Sequence, residues 1–350
     1  CNTSVLTVLL PKPDGGLRPI GLLPTFIRVW SRARLPVARK WETANANPCL
    51  FGGKGMGAQK VAWMAAYRAE VSNLVRNTKV QTLLDMTKAF ETIPHRRLVK
   101  TAIKYGYNVG LIRLSIASYR LPRTVGQDGV QSALMTATRG ITAGSGFATT
   151  ELRILMQEVV LATLADWGKD VDLTLYVDDL TIETEGETEE AAAKNAAAVD
   201  SICEMLQDQM GFEVSQKKSV VLASEPAAAV LTAEMSSTKK VKAVRSAKLL
   251  GTQTKAGSRR AVGALKVRMS NFKKSLPKFQ ILRKLGVNTA AMVQDAASAT
   301  MLYGVECCGV SDTMLEECRR TAAKFCGGSA GGKSATRTLY AVDGAQGTAD

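Results

Sequence analysis

Leu173-Thr174-Leu175-Tyr176-Val177-Asp178-Asp179-Leu180-Thr181-Ile182 is the stretch whose reading decides the fold. Leu173, Leu175 and Val177 alternate with their neighbours, as do Leu180 and Ile182, which is the period of two short strands. The acidic pair Asp178-Asp179 falls at the bend between them. Adjacent, partly buried carboxylates repel each other and lose hydration, a cost that a bound cation offsets. A lone Asp-Asp is more often a polar hairpin tip, so the weight rests on what accompanies it.

Upstream, Val80-Gln81-Thr82-Leu83-Leu84-Asp85-Met86-Thr87-Lys88-Ala89-Phe90-Glu91 reads as an apolar strand ending in Asp85, with an aromatic five residues on. Arg139-Gly140-Ile141-Thr142-Ala143-Gly144-Ser145-Gly146-Phe147-Ala148 is a Gly-rich turn leading into a helical run from Thr150 to Leu164. Gly211-Phe212-Glu213-Val214-Ser215-Gln216-Lys217-Lys218-Ser219 and Lys248-Leu249-Leu250-Gly251 follow the acidic pair. Ahead of all stands Leu10-Pro11-Lys12-Pro13-Asp14-Gly15-Gly16-Leu17-Arg18-Pro19-Ile20, a hairpin with Lys12 and Arg18 beside its tip. Each block alone is a weak signal. In this order the series resembles the reverse transcriptase family, with its finger hairpin and motifs A to E, over roughly residues 5–255.

That resemblance implies an α+β, right-hand polymerase architecture: fingers, a palm whose antiparallel sheet carries the paired aspartates with helices packed on it, and a helical thumb. The expected divisions are fingers over 1–80, palm over 81–254 with an inserted fingers segment near 100–135, a basic thumb over 255–325 and a flexible tail over 326–350. It implies RNA-directed DNA polymerase activity of the non-LTR retrotransposon or group II intron kind, to which the late Tyr303-Gly304-Val305-Glu306 also conforms. Nucleotidyl transfer uses two divalent ions, Mg²⁺ with Mn²⁺ as a substitute, and hard ions prefer carboxylate oxygens. The implied ligands are Asp85, Asp178, the weaker Asp179 and the backbone carbonyl of Met86. Lys12 and Arg18 would hold the triphosphate, and Lys218, with Lys217 competing, would assist the leaving pyrophosphate. Phe90 matches the gate that excludes a ribose 2′-hydroxyl, and Ala143 and Gly144 line the nucleotide site. Leu250-Gly251 matches the primer grip, with Arg259, Arg260, Lys266, Lys273 and Lys274 expected against primer and template. The pattern departs from the family at Ala143, usually Gln, and at Gly146, usually Pro, which puts fidelity and nucleotide affinity in question. Partners implied are an RNA template, a DNA primer and deoxynucleotides. Residence inside the cell, in the nucleus, follows from the resemblance alone.

Charge supports a polyanion partner. The 350 residues carry a formal +15, but residues 1–82 hold a net +9, 83–234 a net −7, and 235–294 a net +15 without a single carboxylate. Two basic regions flanking an acidic middle suit a protein that grips a phosphate backbone at two places. Between Val262 and Leu276 the apolar positions step by three and four with Lys266, Arg268, Lys273 and Lys274 between them, and Pro277 closes the run. Phe26 to Trp41 reads as an Arg-rich amphipathic helix, and Glu187 to Met210 as a helix ended by Gly211.

The remaining composition excludes alternatives. Hydrophobic content of 46% and mean hydropathy of −0.01 fit a globular chain, and no apolar run approaches the ~20 residues of a membrane span. Seven cysteines without paired spacing argue against a disulfide scaffold or a zinc site, and the single histidine, His95, excludes His-rich nuclease chemistry. Opening on Cys1 rather than Met is expected of a piece of a longer protein. Oligomeric state is not encoded in any motif. Two other readings stand beside the leading one: an RNA-dependent RNA polymerase sharing the palm, and a catalytically silent nucleic-acid-binding relic.

Overall fold

A computed structural model describes residues 4–12, 15–127, 129–257, 261–327, 332 and 334–343. The backbone divides into two compact units, residues 1–61 with 76–244, and residues 62–75 with 245–350. The boundaries of these units lie at 61/62, inside the helix Ala58–Leu74, at 75/76 and at 244/245. The fold is mixed helix and sheet.

In the first unit the chain opens with β1 (Val5–Pro11) and β2 (Leu17–Leu22), paired antiparallel with Leu10 opposite Arg18. The expected helix follows as α1 (Thr25–Ala44), then β3 (Leu50–Phe51), α2 (Ala58–Leu74), which belongs to the second unit from Ala62 on, and β4 (Thr78–Thr87). After β4 come α3 (Ala89–Thr92), α4 (His95–Lys104), α5 (Val109–Tyr119), β5 (Arg123–Gln127) and β6 (Val130–Gln131). The segment expected as an insertion near 100–135 divides its allegiance. Buried residues of α4 and α5 belong to the main core, whereas β5 joins β1 in parallel within a four-stranded sheet ordered β2-β1-β5-β6.

The larger sheet is built on α6 (Ala148–Trp167), β7 (Asp172–Tyr176), β8 (Asp179–Gly186), α7 (Thr188–Glu204), β9 (Glu213–Val214), β10 (Val220–Ala223), α8 (Pro226–Met235) and β11 (Lys242–Ala243). Its order is β11-β10-β4-β8-β7-β3, with β9 pairing the end of β4. Central strands are buried on both faces, and β4 shows it: seven of its ten residues are buried, Leu83, Asp85 and Thr87 being the partly exposed ones. Thr82 hydrogen-bonds Asn195 of α7, fixing the Ala-rich helix against that face. On the other face Glu183 is 2% exposed, pairs with Lys79 at 3.2 Å and accepts a hydrogen bond from the Gln81 amide at 2.8 Å. The helix expected to run to Met210 relaxes into a π-turn over Met205–Gln209 before Gly211, which takes φ +71°.

The second unit contains a hairpin of Ser246–Leu249 with Thr252–Lys255 and a set of helices. Leu265 and Met269 of the helix Gly263–Lys274 are buried, with Phe272 half-buried, as the three–four spacing requires. Pro277 does not simply stop that run: it sits in the first turn of a new helix, Leu276–Lys284, where its missing N–H costs nothing. Within the stretch expected as a flexible tail, a helix covers Ala335–Asp343, with Leu339 only 2% exposed. Among the described residues no helix is long and apolar enough to cross a membrane.

Candidate functional site

Strand register places the acidic residues. Asp85 on β4 lies directly opposite Asp179, the first residue of β8, and Asp179 pairs in turn with Tyr176 across the β7–β8 hairpin. Facing residues of an antiparallel pair share a face, so the two carboxylates project to the same side. Only Val177 and Asp178 form the turn, and Val177 takes φ +60°. A β-branched residue there is strained by roughly 1–3 kcal/mol. Gly52 accommodates it: a Cβ on Gly52 would lie 2.9 Å from a Val177 methyl.

The electrostatics follow from that crowding. Desolvation, with the charges of Asp85 and Glu91, raises the Asp178 carboxyl, while its own N–H and Arg18 pull the other way. Desolvation and then the charges of Asp178 and Asp85 push Asp179 up to about 6. Arg18, exposed on β2, is therefore within electrostatic reach of the acidic turn. Lys218 Nζ lies 4.0 Å from Asp85 Oδ2, while Lys217 is exposed and, among the described residues, forms no ion pair. The Lys218 loop is tied to β4 itself: Ser219 Oγ accepts from Asp85 N at 3.1 Å, and Ser215 N donates to Asp85 O at 2.8 Å. Met86 is buried and pairs with Val214 of β9. Among the described residues no three His, Cys, Asp or Glu side chains converge closely enough to hold a metal ion.

Phe90 sits on the one-turn α3, half-buried against the main core, with its carbonyl accepting from Ile141 N at 2.7 Å. That bond carries the Gly-rich loop to the short helix that follows the strand bearing Asp85. On its other side, Ala143 O accepts from Gly21 N of β2 at 2.8 Å. Gly144 has φ +114°, and a Cβ there would lie 2.4 Å from Gly21 O. Gly144→Ala is accordingly expected to cost about 2–4 kcal/mol of unfolding free energy, from backbone strain plus forced separation of the loop from β2. Denaturant unfolding checks this, and a loss below about 1 kcal/mol would show that the loop repacks.

Lys12 closes the hairpin turn through bonds with Gly15 and Gly16, while Pro13 and Asp14 lie outside the described residues. Leu250 and Gly251 form the two-residue turn of the second unit's hairpin, with φ +47° and +87°, the signs of a type I′ turn. Sequence reasoning missed what braces it. Tyr303 Oη donates to Leu250 O at 3.0 Å, and Arg268 donates to the carbonyls of Gly251 and, at 2.7 Å, Tyr303. Arg268 was expected among the outward-facing bases and instead turns inward. Lys266, Lys273 and Lys274 are exposed, Lys273 being paired with Glu317. Arg259 and Arg260 lie outside the described residues.

Comparison with known proteins bears on the fold and the family. A family model, Reverse transcriptase (RNA-dependent DNA polymerase), matches residues 10–254. No curated protein matches the chain. Among solved structures, apo telomerase from Candida tropicalis is similar with a TM-score of 0.52 at 12% identity, over 98% of this chain and 62% of that one. Its form truncated from the C-terminal domain gives 0.52 at 14% identity, over 73% and 53%. Telomerase from Candida albicans gives 0.50 at 10% identity, over 99% and 60%. The chain thus spans 53–62% of the length of these relatives. A match over residues 10–254 of 350, on a fold that these structures share, means that the chain belongs to the reverse transcriptase (RNA-dependent DNA polymerase) family.

Proposed function

We propose that this chain is the RNA-directed DNA polymerase core of a retroelement, extending a DNA primer on an RNA template with deoxynucleotides. The observation that carries the reading is Asp85 in register with Asp179, beside Asp178 at the adjoining turn. Carboxylate oxygens are the donors that Mg²⁺ or Mn²⁺ prefers, and raised carboxyls mark a place where added positive charge is favourable. Asp85, Asp178 and Asp179, with the Met86 carbonyl, would hold two such ions, which when bound supply charge neutralisation for the attacking and leaving oxygens.

The chain's own groups do the rest. Arg18, with Lys12 near the hairpin tip, engages the triphosphate through charge-assisted hydrogen bonds. Lys218, whose Nζ lies 4.0 Å from Asp85 Oδ2, would give a proton to the departing pyrophosphate. Phe90 blocks a 2′-hydroxyl by bulk. The β1–β2 hairpin acts as fingers, the larger sheet as palm and the basic helices of the second unit as thumb, Lys266, Lys273, Lys274 and the Leu250-Gly251 turn meeting the duplex. RNA as template is supported by the basic regions, and solved telomerase relatives include complexes with a fragment of telomeric RNA.

A second reading, a silent nucleic-acid binder, is favoured by one observation: the carboxylates do not converge into a ready metal cage. Primer extension on an RNA template, with Mg²⁺ and then with excess chelator, separates the two. Extension that chelator abolishes supports the polymerase. No extension with Mg²⁺ or Mn²⁺ by protein that binds the primer–template establishes the silent binder.

A further inference from the structure

The loop 142–147 contains Gly144 and Gly146, with Gly140 just before it, so its backbone has little stiffness of its own. Yet it is fixed on the side away from β2 by side chains that the proposed chemistry does not use. Tyr119, fully buried at the end of α5, has its hydroxyl 2.9 Å from Ser145 Oγ and 2.6 Å from Glu151 Oε2. A phenol has one proton to give. Donating it to Glu151 obliges Tyr119 to accept from Ser145, whose Oγ in turn accepts from Phe147 N at 3.3 Å. The result is a one-way chain of donors from the loop backbone into a carboxylate in the first turn of α6.

Glu151 is 0% exposed and, among the described residues, forms no ion pair; its Oε1 makes no hydrogen bond of good geometry, with only the Ser115 hydroxyl as a weak partner. An apolar residue would be cheaper in such a place unless the carboxyl had work to do. The loop is also held by His95, buried beside Tyr119: Arg120 Nε donates to His95 Nδ1 at 3.3 Å, leaving Nε2–H for Gly140 O at 2.8 Å.

We propose that Tyr119 and Glu151 are positioning residues that set the conformation of the 142–147 loop, and through Ala143 and Gly144 the register of β2 and Arg18 against an incoming nucleotide. The role in nucleotide binding rests on the polymerase reading; the bracing of the loop does not. The brace touches the wall that binds substrate rather than Asp85, Asp178 or Asp179, so its loss falls on nucleotide KM more than on kcat.

The test uses the whole chain with three substitutions: Tyr119→Phe, which keeps the ring; Glu151→Gln, which keeps a partner for the phenol; and Glu151→Leu, which removes it. Hydrogen exchange is followed over 140–147 and, as reference, over β4 and the β7–β8 hairpin, alongside deoxynucleotide KM and kcat. Tyr119→Phe and Glu151→Leu are expected to speed exchange in the loop alone and to raise KM about 5- to 10-fold with kcat changed less than about 2-fold, the size of one buried hydrogen bond. Glu151→Gln is expected to restore both. Unchanged loop exchange overturns the proposal, as does exchange rising equally in β4, the mark of a general loss of stability. Faster loop exchange with unaltered KM overturns the link to substrate. A wild-type chain that extends no primer defeats the polymerase reading instead, while the exchange result still decides the brace.

Discussion

Asp178→Asn is expected to lower primer extension by about 1,000-fold or more, near 4 kcal/mol of barrier, while leaving primer–template affinity within about 2-fold. The amide preserves size and can keep the turn, but it removes the charge that a divalent ion requires from its ligand. Affinity for nucleic acid should persist because it comes from Lys and Arg on other elements, and its steep salt dependence should be unaltered. A second consequence follows from the crowding at the turn. Asp178 is raised by desolvation and by the charges of Asp85 and Glu91, so in chelator the neutral amide relieves a repulsion. The metal-free variant is therefore expected to melt at the same temperature as wild type or higher. Extension surviving in Asp178→Asn would sink the ligand assignment; loss of extension with a collapsed melting temperature would reduce it to a folding defect.

Phe90→Ala is expected to relax discrimination against ribonucleotides by about 100-fold, read as the ratio of kcat/KM for a deoxynucleotide to that for its ribonucleotide. The aromatic is well fixed for such a role. Lys88 before it takes φ +51°, turning the chain sharply out of β4, and the Ile141 N–H holds the Phe90 carbonyl. Truncating a half-buried ring also costs stability, about 2 kcal/mol, so Phe90→Leu serves as the companion that keeps more of the packing. An unchanged ratio in Phe90→Ala, with extension intact, would show that sugar choice lies elsewhere.

Much of the candidate site was legible in the sequence because its geometry is local. An apolar run that ends in Asp85 and an alternating run broken by Asp178-Asp179 each fix which residue stands at a strand end, and the hairpin needs only two turn residues. The hairpin at Lys12 to Arg18 and the glycine at 144 are readable for the same reason: each is a backbone requirement met by nearby residues. Less legible was what lies across long sequence separations. Arg268 has the spacing of a solvent-facing base, yet it turns to carbonyls of Gly251 and Tyr303 that no period reveals. The tail helix was invisible because one buried leucine, Leu339, makes a weak pattern.

By itself, then, the sequence determined the family, the identity of the acidic residues, and the basic–acidic–basic layout that suits a polyanion. These are properties of composition and of periods two to four residues long, which local backbone geometry alone imposes. Only the tertiary structure decided that Asp85 faces Asp179 rather than a neighbour one step away, that Lys218 rather than Lys217 stands by Asp85, and that Tyr119 and Glu151 lie behind the glycine loop. Those outcomes depend on strand register and on side chains brought together from 26 to 134 positions apart, as in Tyr119 with Ser145 and Asp85 with Ser219. Packing of a whole core, not any local pattern, selects among such pairings, since a one-residue slip in register would send every side chain to the opposite face.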